Sequence, residues 1–188
     1  MSTTTPVAAT SGNYVKSTVM GVESSEDISL TQMRKVIAGR LSASKFSAPH
    51  FYLTVEINMD KAMAARVSVN EVSPVKISFN DIVLKSVASA IRLHPDVNVS
   101  WLEDKMQKHQ HIHIGVAVAI PDGLVVPVVK FADTKSLAQI SEEVKDLAQR
   151  AVAKKLAPEE FSGNTFSISN LGMYGVEEFT AIINPPNA

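Results

Sequence analysis

The clearest structural signal of this 188-residue chain is Ser167-Ile168-Ser169-Asn170-Leu171-Gly172-Met173-Tyr174-Gly175, close to its last residue. Polar and apolar side chains alternate over residues 165–169, which is the pattern of a half-buried strand. Gly172 and Gly175 then permit a tight turn or positive φ angles. Ser169 lies where this strand gives way to the loop, and the pattern predicts that its hydroxyl is presented there.

Four segments show the apolar spacing of helices. In the first, Ser29 and Gln32 have capping-box spacing, and apolar residues recur on one face until Pro49. The third is apolar around most of its circumference, so we expect it to be buried. The predicted helices are residues 30–45, a helix capped by Asp60, a helix capped by Ser78 or Asn80 and ended by Pro95, and residues 137–151 after Ser136.

Strand signals fill the remaining segments. Alternation is strictest over residues 51–59, and residues 97–101 and 112–120 alternate on either side of a polar turn, which predicts a hairpin. Pro127 cannot donate to a ladder, so residues 124–130 should hold an edge or bulged position. Long helices mixed with such strands indicate an α/β two-layer domain with a mixed sheet.

Composition excludes several classes of function. The 18 basic and 19 acidic residues give no strong field for nucleic acid or anionic membranes, and no apolar run approaches the roughly 20 residues of a membrane span. Because cysteine is absent, disulfides, thiolate metal sites and a cysteine nucleophile are excluded. Residues 1–26 are rich in Ser, Thr, Ala, Pro and Gly, which predicts a flexible linker before one domain over residues 27–188.

Five ordered segments carry a family resemblance: QMRKVIAGRL (32–41), APHF (48–51), SFND (78–81), PDGLVVPV (121–128) and SISNLG (167–172). Together they resemble the catalytic domain of dihydrolipoamide acyltransferases, from about residue 26 onward. The variants NLGMYG (170–175) and NPP (184–186) resemble most the acetyltransferase, or E2, branch of pyruvate dehydrogenase complexes. The branched-chain and 2-oxoglutarate branches share the scaffold and stay open as alternatives.

The resemblance implies a chloramphenicol acetyltransferase-like, CoA-dependent acyltransferase fold, built as homotrimers that assemble into a cubic or dodecahedral core. It implies acetyl transfer between dihydrolipoyl-lysine, carried on a separate lipoyl domain, and coenzyme A. The E1 and E3 components of the complex would be further partners. The implied location is the bacterial cytoplasm, with the mitochondrial matrix as the alternative.

The resemblance also implies roles for individual residues. Ser169 would donate to the oxyanion of the tetrahedral intermediate, and Arg34 would orient the Asp of a His-x-x-x-Asp-Gly motif. On local sequence alone, the favoured interpretation is that Ser169 bonds its own loop and that Arg34 is a solvated helix residue. For the substrate channel we predict Asp122, Gly123, Asn170 and Gly172, although simple turn chemistry explains the same residues.

The general base of the family is the histidine of that His-x-x-x-Asp-Gly motif, which this sequence lacks. We assign its role to none of the five histidines, His50, His94, His109, His111 and His113. We therefore expect a catalytic domain that is incomplete at its C-terminal end and inactive by itself. The alternative is a non-catalytic structural or assembly protein with the same scaffold.

Three of those histidines alternate along the predicted strand. His109, His111 and His113 would share one face, and three imidazoles on one face can bind zinc. No acidic residue follows nearby to orient such ligands, and a polar face on a hairpin needs no ion. We predict no metal site.

Overall fold

A computed structural model describes residues 25–121 and 123–186. The chain divides into two units, residues 1–30 and residues 31–188. In the first unit, residues 25–30 are exposed and carry neither helix nor strand. The linker predicted over residues 1–26 lies almost entirely outside the described residues, so it stays a prediction.

Each of the four predicted helical segments is a helix. The helices are α1 (Gln32–Ser47), α2 (Asp60–Val72), α3 (Phe79–Leu93) and α4 (Leu137–Val152). Ser78 and Ser136 each accept a backbone N–H in a capping box, as local sequence predicts. The predicted cap at Ser29 is wrong: the Thr31 side chain accepts from the Arg34 N–H, because Thr31 immediately precedes the first helical residue. No helix in the described part of the chain is long and apolar enough to cross a membrane.

The strands form one mixed sheet and two hairpins. They are β1 (Val99–Leu102), β2 (Lys105–Lys108), β3 (Ile114–Val116), β4 (Val118–Ile120), β5 (Gly123–Val125), β6 (Val128–Val129) and β7 (Phe166–Ile168). In the sheet, with order β6-β3-β7, β3 is antiparallel to β6 and parallel to β7. The strand is interrupted at Pro127, between β5 and β6. β6 lies at the edge of the mixed sheet, as the proline predicts. The predicted mixed sheet is confirmed.

The predicted pairing of residues 97–101 with 112–120 is wrong. β1 pairs with β2, and the long alternating segment divides into β3 in the mixed sheet and β4 in a hairpin with β5. Between them, the Ala117 N–H donates to the Ile168 carbonyl at 2.9 Å. Both halves follow one antiparallel register against residues 123–129, in which Ile114 is opposite Val129 and Val118 is opposite Val125, and the ladder is interrupted between them. β2 gave no strand signal because all four of its residues are exposed.

Residues 51–59 also differ from expectation. They form no strand, and Phe51, Leu53, Val55 and Ile57 are each 68–81% exposed. A strand needs a neighbour to pair with its backbone groups, and no strand in the described ranges pairs with this segment. The alternation therefore marks an extended, apolar and uncovered segment.

The core lies between the helices α3 and α4 and one face of the mixed sheet. Its members are Leu84, Ala88, Ile91, Ile112, Ile114, Val116, Val129, Ala132, Ile140 and Leu147. The prediction that α3 is buried all round is wrong: it buries one face, and Val83 is 39% exposed. Because side chains alternate along a strand, Gly115 and its register partner Ser167 lie on the opposite face of the sheet.

Candidate active site

A cavity of about 780 Å³ lies beside the end of β7. Its walls come from α1, residues 117–120, residues 124–126, residues 151–161 and residues 179–184. Most of the lining is apolar; the polar side chains on it are Gln32, Arg40, Lys154, Ser167, Ser169 and Asn184. A largely apolar cavity with a few polar groups is typical of a ligand site.

Two serines of the predicted signature line this cavity, but their hydroxyls differ. Ser167 accepts a hydrogen bond from Asn164 Nδ2 at 3.0 Å. Ser169 is exposed, and its hydroxyl makes no hydrogen bond with any residue that the structure describes. The local loop bond that could have explained Ser169 is therefore not found there. Ser169 presents the hydroxyl that is available to a ligand.

The side chain of Asn170 organises the loop after Ser169. Asn170 Oδ1 accepts from the Gly172 N–H at 2.9 Å, a turn of 3₁₀-helix follows over Gly172–Tyr174, and Gly175 has φ +71°. A Cβ at Gly172 would lie 3.2 Å from Asn170 Oδ1, so the turn favours glycine. Neither Asn170 nor Gly172 lines the cavity, so their binding role stays a prediction.

The turn before β5 approaches α1 closely. Gly123 has φ +149°, and a Cβ there would lie 3.3 Å from Ile37 Cδ1, on the cavity-lining side of α1. Gly123 does not line the cavity, whereas the next residues Leu124 and Val125 do. Asp122, the fourth predicted channel residue, lies outside the described residues.

The two arginines of α1 are placed differently. Arg34 is exposed and does not line the cavity, and its side chain makes no ion pair within the described ranges. Arg40 lines the cavity together with Met33 and Ile37. We did not predict Arg40, although its spacing of three from Ile37 and seven from Met33 places it on the same stripe of a helix. That spacing is the signal that could have identified it.

The three alternating histidines lie away from the cavity and precede β3 rather than forming a strand. The ring centroids of His111 and His113 are 4.3 Å apart, and His113 Nδ1 accepts the Phe131 N–H at 3.1 Å. Burial lowers the pKa of His109 and of His113. Within the part of the chain that the structure describes, no group of three or more His, Cys, Asp or Glu residues is arranged to hold a metal ion.

Comparison with curated proteins gives relatives with one shared name. The chain is 49% identical over 163 residues to the dihydrolipoyllysine-residue acetyltransferase component of the pyruvate dehydrogenase complex of Rhizobium meliloti, covering 83% of this chain and 36% of that protein. It is 47% identical over 165 residues to the mitochondrial component of the same name from Schizosaccharomyces pombe, covering 87% and 34%. The chain thus spans about a third of the length of these relatives.

Solved structures give the same scaffold. The cubic core of the pyruvate dehydrogenase multienzyme complex matches with a TM-score of 0.84 and 31% identity, over 100% of this chain and 75% of that one. The dihydrolipoamide acetyltransferase of Azotobacter vinelandii, in which a serine, a histidine and an asparagine were investigated for roles in catalysis, matches with a TM-score of 0.83 and 33% identity, over 87% and 70%. These matches confirm the predicted acyltransferase fold.

A family profile described as 2-oxoacid dehydrogenases acyltransferase (catalytic domain) covers residues 22–188. This range contains α1, the whole of the mixed sheet and the residues that line the cavity. The chain therefore belongs to the 2-oxoacid dehydrogenase acyltransferase family.

Proposed function

We propose that this chain is the catalytic core of an acetyltransferase that moves an acetyl group between dihydrolipoyl-lysine and coenzyme A. The names of the relatives support the acetyl group and the pyruvate dehydrogenase complex. The observation that carries the proposal is the Ser169 hydroxyl, which has no partner among the described residues and faces a largely apolar cavity. The lipoyl group would arrive on a separate domain, and coenzyme A would be a substrate.

Ser169 would act on the charge that develops during transfer. The attacking thiolate forms a C–S bond to the thioester carbonyl carbon, and the C=O π electrons move onto oxygen. The hydroxyl donates to this oxyanion, which is typically worth about 2.7–4 kcal/mol of transition-state stabilisation. When the C=O bond re-forms, the other thiolate leaves and takes up a proton.

The attacking thiol needs a base, because its ordinary pKa is about 8.5. None of the five histidines lines the cavity in the part of the chain that the structure describes, and the family's His-x-x-x-Asp-Gly motif is absent from the sequence. We therefore expect residues 1–188 to offer an oxyanion donor without a base and to be inactive by themselves. Arg34, exposed on α1, is proposed to pair with the Asp of that motif.

The test is acetyl transfer from acetyl-CoA to dihydrolipoamide. Two proteins are compared: residues 1–188, and the same residues followed by the C-terminal segment of the Rhizobium meliloti relative. In the second, Ser169→Ala should lower kcat by about 10²–10³-fold. Ser167→Ala is the matched control, since Ser167 lines the same cavity but is half-buried within β7 and its oxygen accepts from Asn164, and it should lower kcat far less.

Three results would contradict this proposal. Undiminished kcat in the Ser169→Ala form would remove Ser169 from the mechanism. Fast turnover by residues 1–188 alone would show that no added base is needed. An extended form that is inactive in every variant would favour the non-catalytic scaffold instead.

We also propose that the domain spans residues 27–188 after a linker and assembles as a trimer within a larger core. The solved cubic core with the same fold and the exposed apolar segment 51–57 support assembly. Sedimentation velocity that shows only monomer at high protein concentration would contradict it. The relatives come from bacteria and from mitochondria, so the bacterial cytoplasm, or alternatively the mitochondrial matrix, is the proposed compartment.

A further inference from the structure

The cavity wall formed by residues 181–184 is attached to the C-terminal end of α1 by two side chains. Ser44 Oγ donates to the Ile183 carbonyl at 2.5 Å. The Ile183 N–H donates to His50 Nε2 at 3.1 Å. Both polar backbone groups of one wall residue are thus held by side chains that are 133 and 139 positions away in the sequence.

The contacts of His50 determine its tautomer. Its Nδ1 lies 2.7 Å from the Ala48 carbonyl, which can only accept, so Nδ1 carries the hydrogen. The Ile183 N–H can only donate, so Nε2 must be unprotonated. One neutral form of the imidazole satisfies both partners, and that form links the chain after α1 to the cavity wall.

Ser44 completes the attachment from inside the fold. It is 0% exposed and is the one buried residue of α1, all of which is described. A serine within a helix commonly bonds the carbonyl four residues earlier, but this hydroxyl bonds a distant segment that is neither helix nor strand. A buried hydroxyl that loses its partner is costly, so this contact is selective for one placement of the wall.

We propose that Ser44 and His50 form a clamp that holds the wall residues 181–184 in place at the cavity. Ile182, Ile183 and Asn184 line the cavity that also holds Ser169, while neither clamp residue does. His50 is accordingly a positioning residue, acting through the Ile183 backbone. Its effect on catalysis rests on the proposed function; its effect on the wall does not.

The clamp acts locally because the wall has a second anchor. The Trp101 N–H of β1 donates to the Pro186 carbonyl at 3.0 Å, so the segment is tied to the hairpin β1-β2 beyond the clamp. Breaking the clamp should therefore release the cavity side of the segment and leave the core intact.

Amide hydrogen exchange of residues 1–188, followed by NMR, tests the clamp directly. His50→Ala should speed exchange at Ile183 by roughly tenfold, the effect of losing one net hydrogen bond. His50→Gln offers an amide oxygen to the same N–H and should restore slow exchange. The Val116 amide, which donates to the Pro127 carbonyl in the core sheet, is the internal control and should not change.

The imidazole nitrogens provide an independent readout. Long-range proton–nitrogen spectra should show hydrogen on Nδ1 of His50 and none on Nε2. The opposite tautomer, or an Ile183 amide whose exchange is indifferent to His50→Ala, would overturn the clamp. Equal acceleration at Val116 in both His50 variants would overturn the local action that we infer.

Kinetics on the extended, active protein test the positioning role. His50→Ala should raise KM several-fold more than it lowers kcat, and His50→Gln should recover KM. Unchanged KM together with faster Ile183 exchange would overturn positioning while leaving the attachment in place. If kcat of the extended protein did not depend on Ser169 while amide exchange followed the pattern expected for the clamp, the proposed function would be contradicted and the clamp would not.

Discussion

Gly115→Ala is expected to destabilise the protein from a position at the centre of the mixed sheet. An ideal Cβ on Gly115 would lie 2.6 Å from Val126 Cγ1, whereas carbon atoms in good contact are about 3.5–4.0 Å apart. Asn164 Nδ2 and Cβ would lie at 3.2 and 3.3 Å from the same Cβ. The new methyl group therefore overlaps Val126 and is also closer than ordinary contact to Asn164.

The size of the effect follows from which neighbours must move. Val126 is β-branched and has few rotamers to offer, and Asn164 is buried and bonded to Ser167 Oγ. Overpacking of this kind costs about 1–3 kcal/mol, and the reduced freedom of alanine in the unfolded chain returns about 0.4–1 kcal/mol. We expect a net loss of about 1–2 kcal/mol in the free energy of unfolding.

Urea unfolding of residues 1–188 measures this change. Gly39→Ala is the matched control: nothing lies within 4 Å of its added Cβ, and it is inside α1, where alanine should gain about 0.5–1 kcal/mol. The loss in the free energy of unfolding of the double variant Gly115→Ala, Val126→Ala should be about 1 kcal/mol smaller than the sum of the losses of the two single variants. Wild-type stability for Gly115→Ala, or strict additivity in the double variant, would refute the steric reasoning.

Two further changes test electrostatics and capping. Two hydrogen bonds from the Arg150 guanidinium, at 2.6 Å each, lower the pKa of Glu160 from its usual 4.5 to about 2. The stability that this pair contributes is present above pH 4.5 and is lost as the pH falls towards 2. Arg150→Gln should therefore flatten the decline of Tm over that range. An unchanged pH profile of Tm would contradict this expectation. Ser136→Ala removes the cap of α4 and should cost about 1 kcal/mol in urea unfolding, while Ser136→Asp should retain most of it.

Local chemistry explains which elements could be predicted from the sequence. The cap of α4 at Ser136 and the edge position of the strand next to Pro127 depend on residues within a few positions of each other, and both predictions are confirmed. The short strand β7 lies within residues 165–169, where the alternation of polar and apolar side chains predicts a strand. In each case, one backbone donor or one repeat period is enough to determine the local structure.

Pairing partners explain where prediction failed. Residues 51–59 have perfect alternation, but alternation states which side chains share a face and not which strand lies beside them. The same limit misassigned the partner of residues 97–101, since β2 is exposed and polar. At the site, the resemblance singled out Arg34, whose pairing stays a prediction, whereas no prediction was made for Arg40, which lines the cavity through its helical phase.

The register of β7 on β3 links the core to the site. Ile114 is opposite Phe166 and Gly115 is opposite Ser167, so the apolar pair packs in the core while Ser167, on the other face, lines the cavity. A slip by one residue would exchange these faces, burying the Ser167 hydroxyl in the core and exposing Phe166. Ser169 follows two residues after Ser167 and reaches the same cavity. The apolar packing that opposes a slip therefore also determines which serine is presented, so a core substitution that loosens β7 would weaken the site without touching it.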